Sequence, residues 1–441
     1  MDSNKKIIVV GLGYVGLTLA TVMAEVGLSV FGVEKRKHVV EKVSSGTAHF
    51  SESGLNDALL RVIKSGSLTV STEIMEEKPG NTYVITVGTP LNSRGEVRLD
   101  MIEAATEQVA QHMSEGALVI LRSTVKIGTS RNVVAPILAK SGKSFDLAMC
   151  PERTLEGKAL KELRELPQII GADQIHVRNR AANIFRNLTN AVVEVSSLEA
   201  AEIIKLVDNT YRDVQFAFSN EVARICEAYS VSAYEVIFSG KLGYQRTNVP
   251  LPGLVGGPCL EKDPHILLES GLSRGISLEI TRAGRLVNER QPDETVQQIV
   301  ALMVKRNLGS GVKVAILGWA FKGIPATDDL RGSMSFKVLE ALRKSRPDVV
   351  VYGYDPVISQ ADLEVELPSV IVSASFLEAI QGAAVVIIAN NHPALGDIKP
   401  YLMQESIQPN GFIYDYWNHF SNLSDSELGT FYYAVGNIRT L

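Results

Sequence analysis

The stretch from Ile7 to Glu34 restricts the fold more than any other part of the chain. Ile7-Ile8-Val9-Val10 is a continuous apolar run, the pattern of a strand buried on both faces. Gly11-Leu12-Gly13-Tyr14-Val15-Gly16 follows at once, then a helical stretch from Leu17 to Glu25, then Gly27 and a second strand, Ser29 to Val33, ending in Glu34. Gly11 permits a tight turn, Gly13 lets backbone approach a pyrophosphate, and Gly16 packs helix against strand. Tyr14 and Val15 in this turn are counted with the cofactor contacts, and the N-terminus of the helix that follows presents free N–H groups to the phosphates. Glu34 stands near the spacing at which a carboxylate meets a ribose 2′-hydroxyl. The order predicts a dinucleotide-binding βαβ unit. NAD is favoured over NADP because a 2′-phosphate would face the Glu34 charge, although Lys35 and Arg36 alongside work the other way.

The alternation of strand and helix continues. Thr82–Val87 reads as a strand ending in Gly88-Thr89-Pro90, and Ala117–Leu121 as another ending in Arg122-Ser123-Thr124-Val125. Ligands of open α/β sheets gather at the carboxyl ends of strands. Thr89 and Thr124 therefore read either as ligand contacts or as capping hydroxyls. A further strand, Phe145–Cys150, runs into Pro151-Glu152-Arg153-Thr154-Leu155-Glu156-Gly157. Glu152 and Glu156 would share a face if that segment turned helical. One of them can serve as a general base poised by burial, or both can be solvated loop charges.

Ser197 to Ser230 reads as one long helix, with Glu199 and Glu202 in its first turns. A helix of that length spans roughly 45 Å, more than one small domain needs, so it is expected to link domains and to pair with a second subunit. Lys205 and Asn209 are four apart and lie on one face; Arg212 and Asn220 are further polar positions on it. After Ser239-Gly240-Lys241-Leu242-Gly243-Tyr244-Gln245-Arg246, a Gly-rich segment suited to enclosing a phosphate or sugar, the α/β rhythm restarts near residue 300. Val312–Gly318, Val349–Tyr354, Ala383–Ala389 and Phe412–Tyr414 read as strands of a second doubly wound domain without a GxGxxG, so no second dinucleotide is assigned to it. Lys322 and Arg331, in the loop after its first strand, can grip a diphosphate. The fold class is α/β: two doubly wound Rossmann-like domains joined by a long central helix. The expected domains are 1–196 for the dinucleotide, 197–298 for a helical dimerising middle, and 299–441 for the second Rossmann-like domain.

Composition narrows the function. Apolar residues make up 45% and charged residues 21% of the 441, an ordinary soluble balance, and the net charge of −5 argues against nucleic acid or an anionic membrane surface as partner. The N-terminal Met1-Asp2-Ser3-Asn4-Lys5-Lys6 has no apolar leader core, and no apolar run reaches the roughly 18 residues of a membrane span. A cytoplasmic location with reduced thiols is expected. Cys150, Cys226 and Cys259 are too few and too scattered for a disulfide framework or a zinc site, the histidines show no metal spacing, and no metal is expected.

One segment carries covalent chemistry: Gly256-Gly257-Pro258-Cys259-Leu260-Glu261-Lys262-Asp263-Pro264. A thiol is a strong nucleophile only as thiolate, and a nearby cation lowers its pKa. Cys259 with Lys262 and Asp263 reads as a covalent catalyst, or as a buried thiol at a turn before a helix.

Taken in order, these landmarks resemble the UDP-glucose/GDP-mannose dehydrogenase family along nearly the whole chain. They are Gly11–Gly16, Gly88-Thr89-Pro90, Ser123-Thr124-Val125, Pro151-Glu152-Arg153, Glu156-Gly157, Lys205 with Asn209, Gly256–Asp263, and Thr327-Asp328-Asp329-Leu330-Arg331. The resemblance implies oxidation of a sugar 6-hydroxyl to a carboxylate in two steps with two NAD, for polysaccharide precursors, by a homodimer. It implies Cys259 as the thiol that holds the intermediate, Lys205 and Asn209 as oxyanion stabilisers, and Asp263 as water holder or first proton acceptor. Glu152 would be the base in thioester hydrolysis, Thr124 and Glu156 would place water and cofactor, and Lys262 would keep Cys259 as thiolate. Arg331 would reach the neighbouring subunit's site, and Lys322, Arg212, Arg246 and Gly256 would line the substrate. Arg153, with Asn209–Val214 and Arg246-Thr247-Asn248, leans toward UDP-N-acetylmannosamine or UDP-N-acetylglucosamine, whereas Lys262 and Pro258 lean toward UDP-glucose. A two-electron hydroxyacid-type dehydrogenase shares the fold plan and the Lys/Asn pair but needs no thiol.

Overall fold

The computed structural model describes residues 6–75, 80–92 and 95–437. Met1–Lys5, where no leader is expected, lies outside them. The chain forms two compact units, Met1–Asn209 with His265–Ser277, and Thr210–Pro264 with Leu278–Leu441.

The first unit is built on eight strands: β1 (Ile7–Val10), β2 (Val30–Val33), β3 (Leu68–Ser71), β4 (Thr82–Ile85), β5 (Ala117–Leu121), β6 (Phe145–Met149), β7 (Gln168–Gly171) and β8 (Val192–Val195). Their order is β3-β2-β1-β4-β5-β6-β7-β8, parallel except where β7 meets β6. β1 sits mid-sheet, pairing Ile7 with Val30 on one side and Thr82 on the other. Because side chains alternate along a strand, Ile7 and Val9 join Leu17 and Val22 of the first helix in one core, and Ile8 and Val10 join Ile85 and Ile102 in the other. All four are essentially inaccessible, and at about 1.5–3 kcal/mol each such burial fixes the strand as the sheet's centre.

The second unit carries β9 (Lys313–Leu317), β10 (Val350–Tyr354), β11 (Ile371–Val372), β12 (Val385–Ile388), β13 (Phe412–Asp415) and β14 (Tyr432–Ala434), all parallel, in the order β11-β10-β9-β12-β13-β14. Both sheets thus reverse direction beside their first strand, the topology of doubly wound nucleotide folds.

The two first turns repeat each other atom for atom over a short stretch. Gly11 (φ +92°) donates to the Val33 carbonyl at 2.7 Å and Leu12 N–H to Glu34 at 3.1 Å. Gly318 (φ +87°) donates to the Tyr354 carbonyl at 2.9 Å and Trp319 N–H to Asp355 at 2.6 Å. The copies then diverge. The helix after β1 starts at Tyr14, but the one after β9 starts only at Met334, and the intervening loop holds Lys322 and Arg331. That loop is tied across the sheet's reversal point, with Gly323 N–H donating to Asn391 at 2.7 Å and Asn390 donating to the Ala320 carbonyl at 3.3 Å.

The long helix runs Leu198–Ala228, 31 residues, starting behind Ser197, whose hydroxyl accepts from Ala200 N–H at 3.1 Å. It stops before Ser230, whose φ of +55° no helix can continue. No described helix is long and apolar enough to cross a membrane.

Candidate active site

In the first unit the glycine turn has the shape of a pyrophosphate cradle. A Cβ on Gly16 would lie 1.8 Å from the Gly11 carbonyl oxygen and 2.5 Å from Thr86 Oγ1, so only glycine lets helix and strand close up there. A Cβ on Gly13 would meet nothing within 4 Å, which marks the open side where a ligand can approach. Glu34 follows β2 and is buried; burial would raise its pKa, but Arg36 through both its guanidinium and its N–H, and Leu12 through its N–H, bring it below the usual value. It is therefore an ionised acceptor where a ribose hydroxyl would sit. His49 feels both groups: burial first, then Arg36, pull it down to about 4, so it is neutral at pH 7. These residues fit NAD. The Tyr14 hydroxyl reaches from the same turn to the loop after β6, accepting from Gly157 N–H at 2.7 Å, and Glu52 accepts from Gly157 and Ala159 N–H at 2.7 and 3.0 Å.

The carboxyl ends of β4, β5 and β6 are laced together beside that cradle. Thr89 donates to the Thr124 carbonyl at 2.5 Å and Ser123 to the Val87 carbonyl at 2.7 Å. Thr89 is thus a loop-fastening hydroxyl past the end of β4. Residues 151–158 are not helical, the next helix being Ala159–Glu165, so Glu152 and Glu156 do not share a helix face. Glu152 turns inward instead. Its Oε2 accepts from Arg122 Nε and Nη2 at 3.0 and 2.6 Å, and its Oε1 from the N–H groups of Arg153 and Thr154 at 2.7 and 2.8 Å. Burial opposes ionisation there, but Arg122, the Thr154 N–H and Lys205 outweigh it and hold the carboxyl below its ordinary value. Arg153 is engaged elsewhere, with Asp208 at 3.2 Å and the Pro167 carbonyl at 2.8 Å.

The long helix brings Lys205 and Asn209 to this unit, both buried and one turn apart. Glu202, a turn earlier, accepts from the Gly128 and Ser130 N–H groups at 2.5 and 2.8 Å, fastening the helix to the loop beyond Thr124. Arg212 and Arg246 are exposed, and Arg246 stacks 4.5 Å from the Tyr244 ring centre. Ser239, Gly240 and Lys241 end a helix, Ala233–Lys241, and are not part of the loop.

In the second unit Cys259 lies in a one-turn helix, Gly257–Leu260, and is exposed, while Cys150 and Cys226 are buried. Burial pushes Cys150 up to about 12, which leaves it inert as a nucleophile. Lys262 pairs with the fully buried Asp263 at 2.7 Å. The loop is fixed from both sides. Arg285, 2% exposed, donates to the Leu260 carbonyl at 2.7 Å and the Val255 carbonyl at 3.2 Å, bracketing Cys259, and is anchored on Asp213 at 2.6 Å. Asn220 clasps Gly253 through its N–H and carbonyl at 3.0 and 3.1 Å. On the other side Gly257 N–H donates to the Gly332 carbonyl at 2.7 Å, and a Cβ on Gly257 would lie 2.3 Å from the Phe321 ring. The loop bearing Lys322 and Arg331 and the loop bearing Cys259 therefore interlock through backbone. Arg331 pairs with Asp329, and Lys322 is half-buried beside Phe321.

The sequence reading passed over Arg122, Arg285, Asp213 and Glu52. For Asp213 and Asn220 a signal existed: polar residues seven apart on a helix share a face, and that face is buried. Among the described residues no cluster of three or more His, Cys, Asp or Glu side chains is placed to hold a metal.

Sequence models of the UDP-glucose/GDP-mannose dehydrogenase family match the chain in three stretches: the NAD binding domain over residues 5–189, the central domain over 199–290, and the UDP binding domain over 315–422. A UDP-N-acetyl-D-mannosamine dehydrogenase of Pyrococcus horikoshii is 34% identical over 401 residues, covering 89% of this chain and 91% of its own. The solved structure of the UDP-D-ManNAc dehydrogenase from that organism superposes with a TM-score of 0.87 at 31% identity, over 99% of this chain and 100% of that one. A UDP-glucose dehydrogenase from Pyrobaculum islandicum superposes with a TM-score of 0.88 at 27% identity, over 98% of each chain.

Proposed function

The chain belongs to the UDP-glucose/GDP-mannose dehydrogenase family, and from that premise we propose that this NAD-dependent UDP-sugar dehydrogenase oxidises the C6 hydroxyl of UDP-N-acetyl-D-mannosamine to the carboxylate through a thioester on Cys259. The observation that carries the proposal is the contrast among its thiols: two are buried, and the third is exposed on a loop braced by Arg285, Asn220 and Gly332.

Bound NAD supplies the hydride acceptor for each oxidation. In the first, Asp263 or a water it holds takes the hydroxyl proton as the C6 hydride leaves, and Lys205 and Asn209 stabilise the oxygen as charge develops on it. The Cys259 thiolate then adds to the aldehyde carbon, and the oxygen takes a proton. The thiohemiacetal loses that proton and a second hydride, which leaves a thioester. Water adds to it, assisted by Glu152 with Thr124 and Glu156, the C–S bond breaks, and the sulfur departs as thiolate. One alcohol, two NAD and one water give one carboxylate, two NADH and three protons. Lys322 and Arg331 bind the diphosphate, and their backbone link to Gly257 draws the thiol loop into place.

The N-acetylated sugar is favoured by the name borne by the 34%-identical relative. UDP-glucose is the second reading, supported by the equal structural likeness of a UDP-glucose dehydrogenase. Incubation with NAD and a panel of UDP-sugars, counting NADH per sugar consumed, tests both points. A ratio of two with UDP-N-acetyl-D-mannosamine supports the proposal; a ratio of one refutes the four-electron reaction, and turnover of UDP-glucose alone refutes the substrate. We also propose a homodimer formed on the long helix, which exposes Tyr211, Phe218 and Ile225 at spacings of two turns. Sedimentation of wild type as a monomer at micromolar concentration would refute it.

A further inference from the structure

Arg122 stands just past β5 with its side chain wholly buried. Its guanidinium donates twice to Glu152 Oε2, at 3.0 and 2.6 Å, once to the Cys150 carbonyl at 3.1 Å, and once to Gln168 Oε1 at 3.0 Å. Its face lies 5.1 Å from the Phe185 ring centre. With the Arg153 and Thr154 N–H groups on Oε1, the carboxylate accepts four hydrogen bonds, two on each oxygen, which fix its plane. Such a group can neither rotate nor drift.

We propose that Arg122 is a positioning residue for the hydrolytic half of the reaction: it holds Glu152 ionised and in one orientation, so that the same carboxylate edge is presented to the water at every turnover. The inference rests on the role given to Glu152 above. Of the charged and titratable groups around Glu152, Arg122 from the end of β5 and Lys205 from the long helix favour the anion, and the Cys150 thiol at the end of β6 stays neutral and adds no opposing charge. With Arg122 removed, burial would dominate and raise the Glu152 pKa. The hydrolytic step would then fail in mildly acidic solution where the wild type still works.

The test is the pH dependence of kcat with UDP-N-acetyl-D-mannosamine, in Arg122→Met and Arg122→Lys, with acid-quenched intact mass to detect the sugar adduct. In Arg122→Met the acid limb is expected to rise by about one pH unit or more, and adduct to accumulate below it. Arg122→Lys restores the charge without the fork, so its limb returns toward wild type while kcat stays lowered. A folded Arg122→Met whose limb stays where it was overturns the inference, because a purely structural role would lower stability and leave the limb alone. If Arg122→Met does not fold, Arg122→Lys decides: an unchanged kcat overturns the inference, and a lowered kcat with adduct build-up supports it. Glu152→Gln separates this inference from the reading beneath it. If Glu152→Gln turns over normally, the role of Glu152 is wrong. If it stalls while both Arg122 variants behave as wild type, only the inference about Arg122 fails.

Discussion

Replacing Arg285 with Met tests what holds the thiol loop. Arg285 and Asp213 form an ion pair at 2.6 Å, with side chains 2% and 0% exposed. Removing one partner of a buried pair leaves the other charge uncompensated, which costs about 3–5 kcal/mol. Asp213 keeps its bond from Asn288 Nδ2 at 2.9 Å, which argues for the lower half of that range. At about 2–4 °C per kcal/mol for a unit of this size, the midpoint of thermal unfolding should fall by roughly 6–16 °C. The Leu260 and Val255 carbonyls lose their donor as well, so kcat should drop while NAD affinity, which depends on the first unit, stays. Asp213→Asn in the Arg285→Met background removes the stranded charge and should recover most of the lost stability. Differential scanning fluorimetry of the two single variants and the double gives the coupling directly. An Arg285→Met protein within 2 °C of wild type, or strictly additive effects in the double, would refute the reasoning.

Three other outcomes are expected. Glu34→Ala removes a charged acceptor worth about 1.5–3 kcal/mol. It should weaken NAD about 10- to 150-fold and, by freeing Arg36, narrow the preference over NADP, as titration of coenzyme fluorescence would show. Gly332→Ala puts a Cβ at φ +63°, 2.3 Å from Glu261 Oε2 and 3.0 Å from the Gly257 backbone. It should lower kcat/KM for the UDP-sugar tenfold or more with NAD binding unchanged, and wild-type kinetics would show that the two loops need no interlock. His419 is buried beside Asp415; burial lowers its pKa, but the carboxylate more than compensates and raises it above 6.5. Its stabilising contribution is therefore fully present below pH 6.5 and lost as pH rises through the higher folded value. The melting-point gap between wild type and His419→Gln should thus be larger at pH 6 than at pH 9, and an equal gap would contradict this.

What the sequence showed plainly was whatever follows from local periodicity. The β1–glycine–helix–β2 unit, the restart of strands after residue 300 and the long helix, expected at 197–230 and found at Leu198–Ala228, all come from runs whose pattern only one element satisfies. Strands such as β3, β8 and β11 escaped because they are short and partly exposed at or near sheet edges, without a continuous apolar run. The loop after β6 was open to a helical reading because two acids four apart look the same in a loop; Glu152 turns toward Arg122, and that pairing across 30 residues of sequence decides its direction. Arg122 and Arg285 went unnoticed for the same reason. A buried arginine and a surface arginine are spelled alike, and the partner of Arg285 lies 72 residues away. Cys259, Lys205, Asn209 and Asp263 were legible only as a set ordered along the chain, since each alone has a blander reading.

The account turns on sulfur holding a half-oxidised sugar, and acid quenching followed by mass spectrometry of the Cys259 peptide tests that most directly. With NAD and UDP-N-acetyl-D-mannosamine, the wild-type peptide should carry the mass of the nucleotide sugar at the thioester level. Cys259→Ser should release at most one NADH per sugar bound. An unmodified Cys259 peptide throughout turnover, together with a Cys259→Ser enzyme that still yields two NADH per sugar at the wild-type rate, would contradict it.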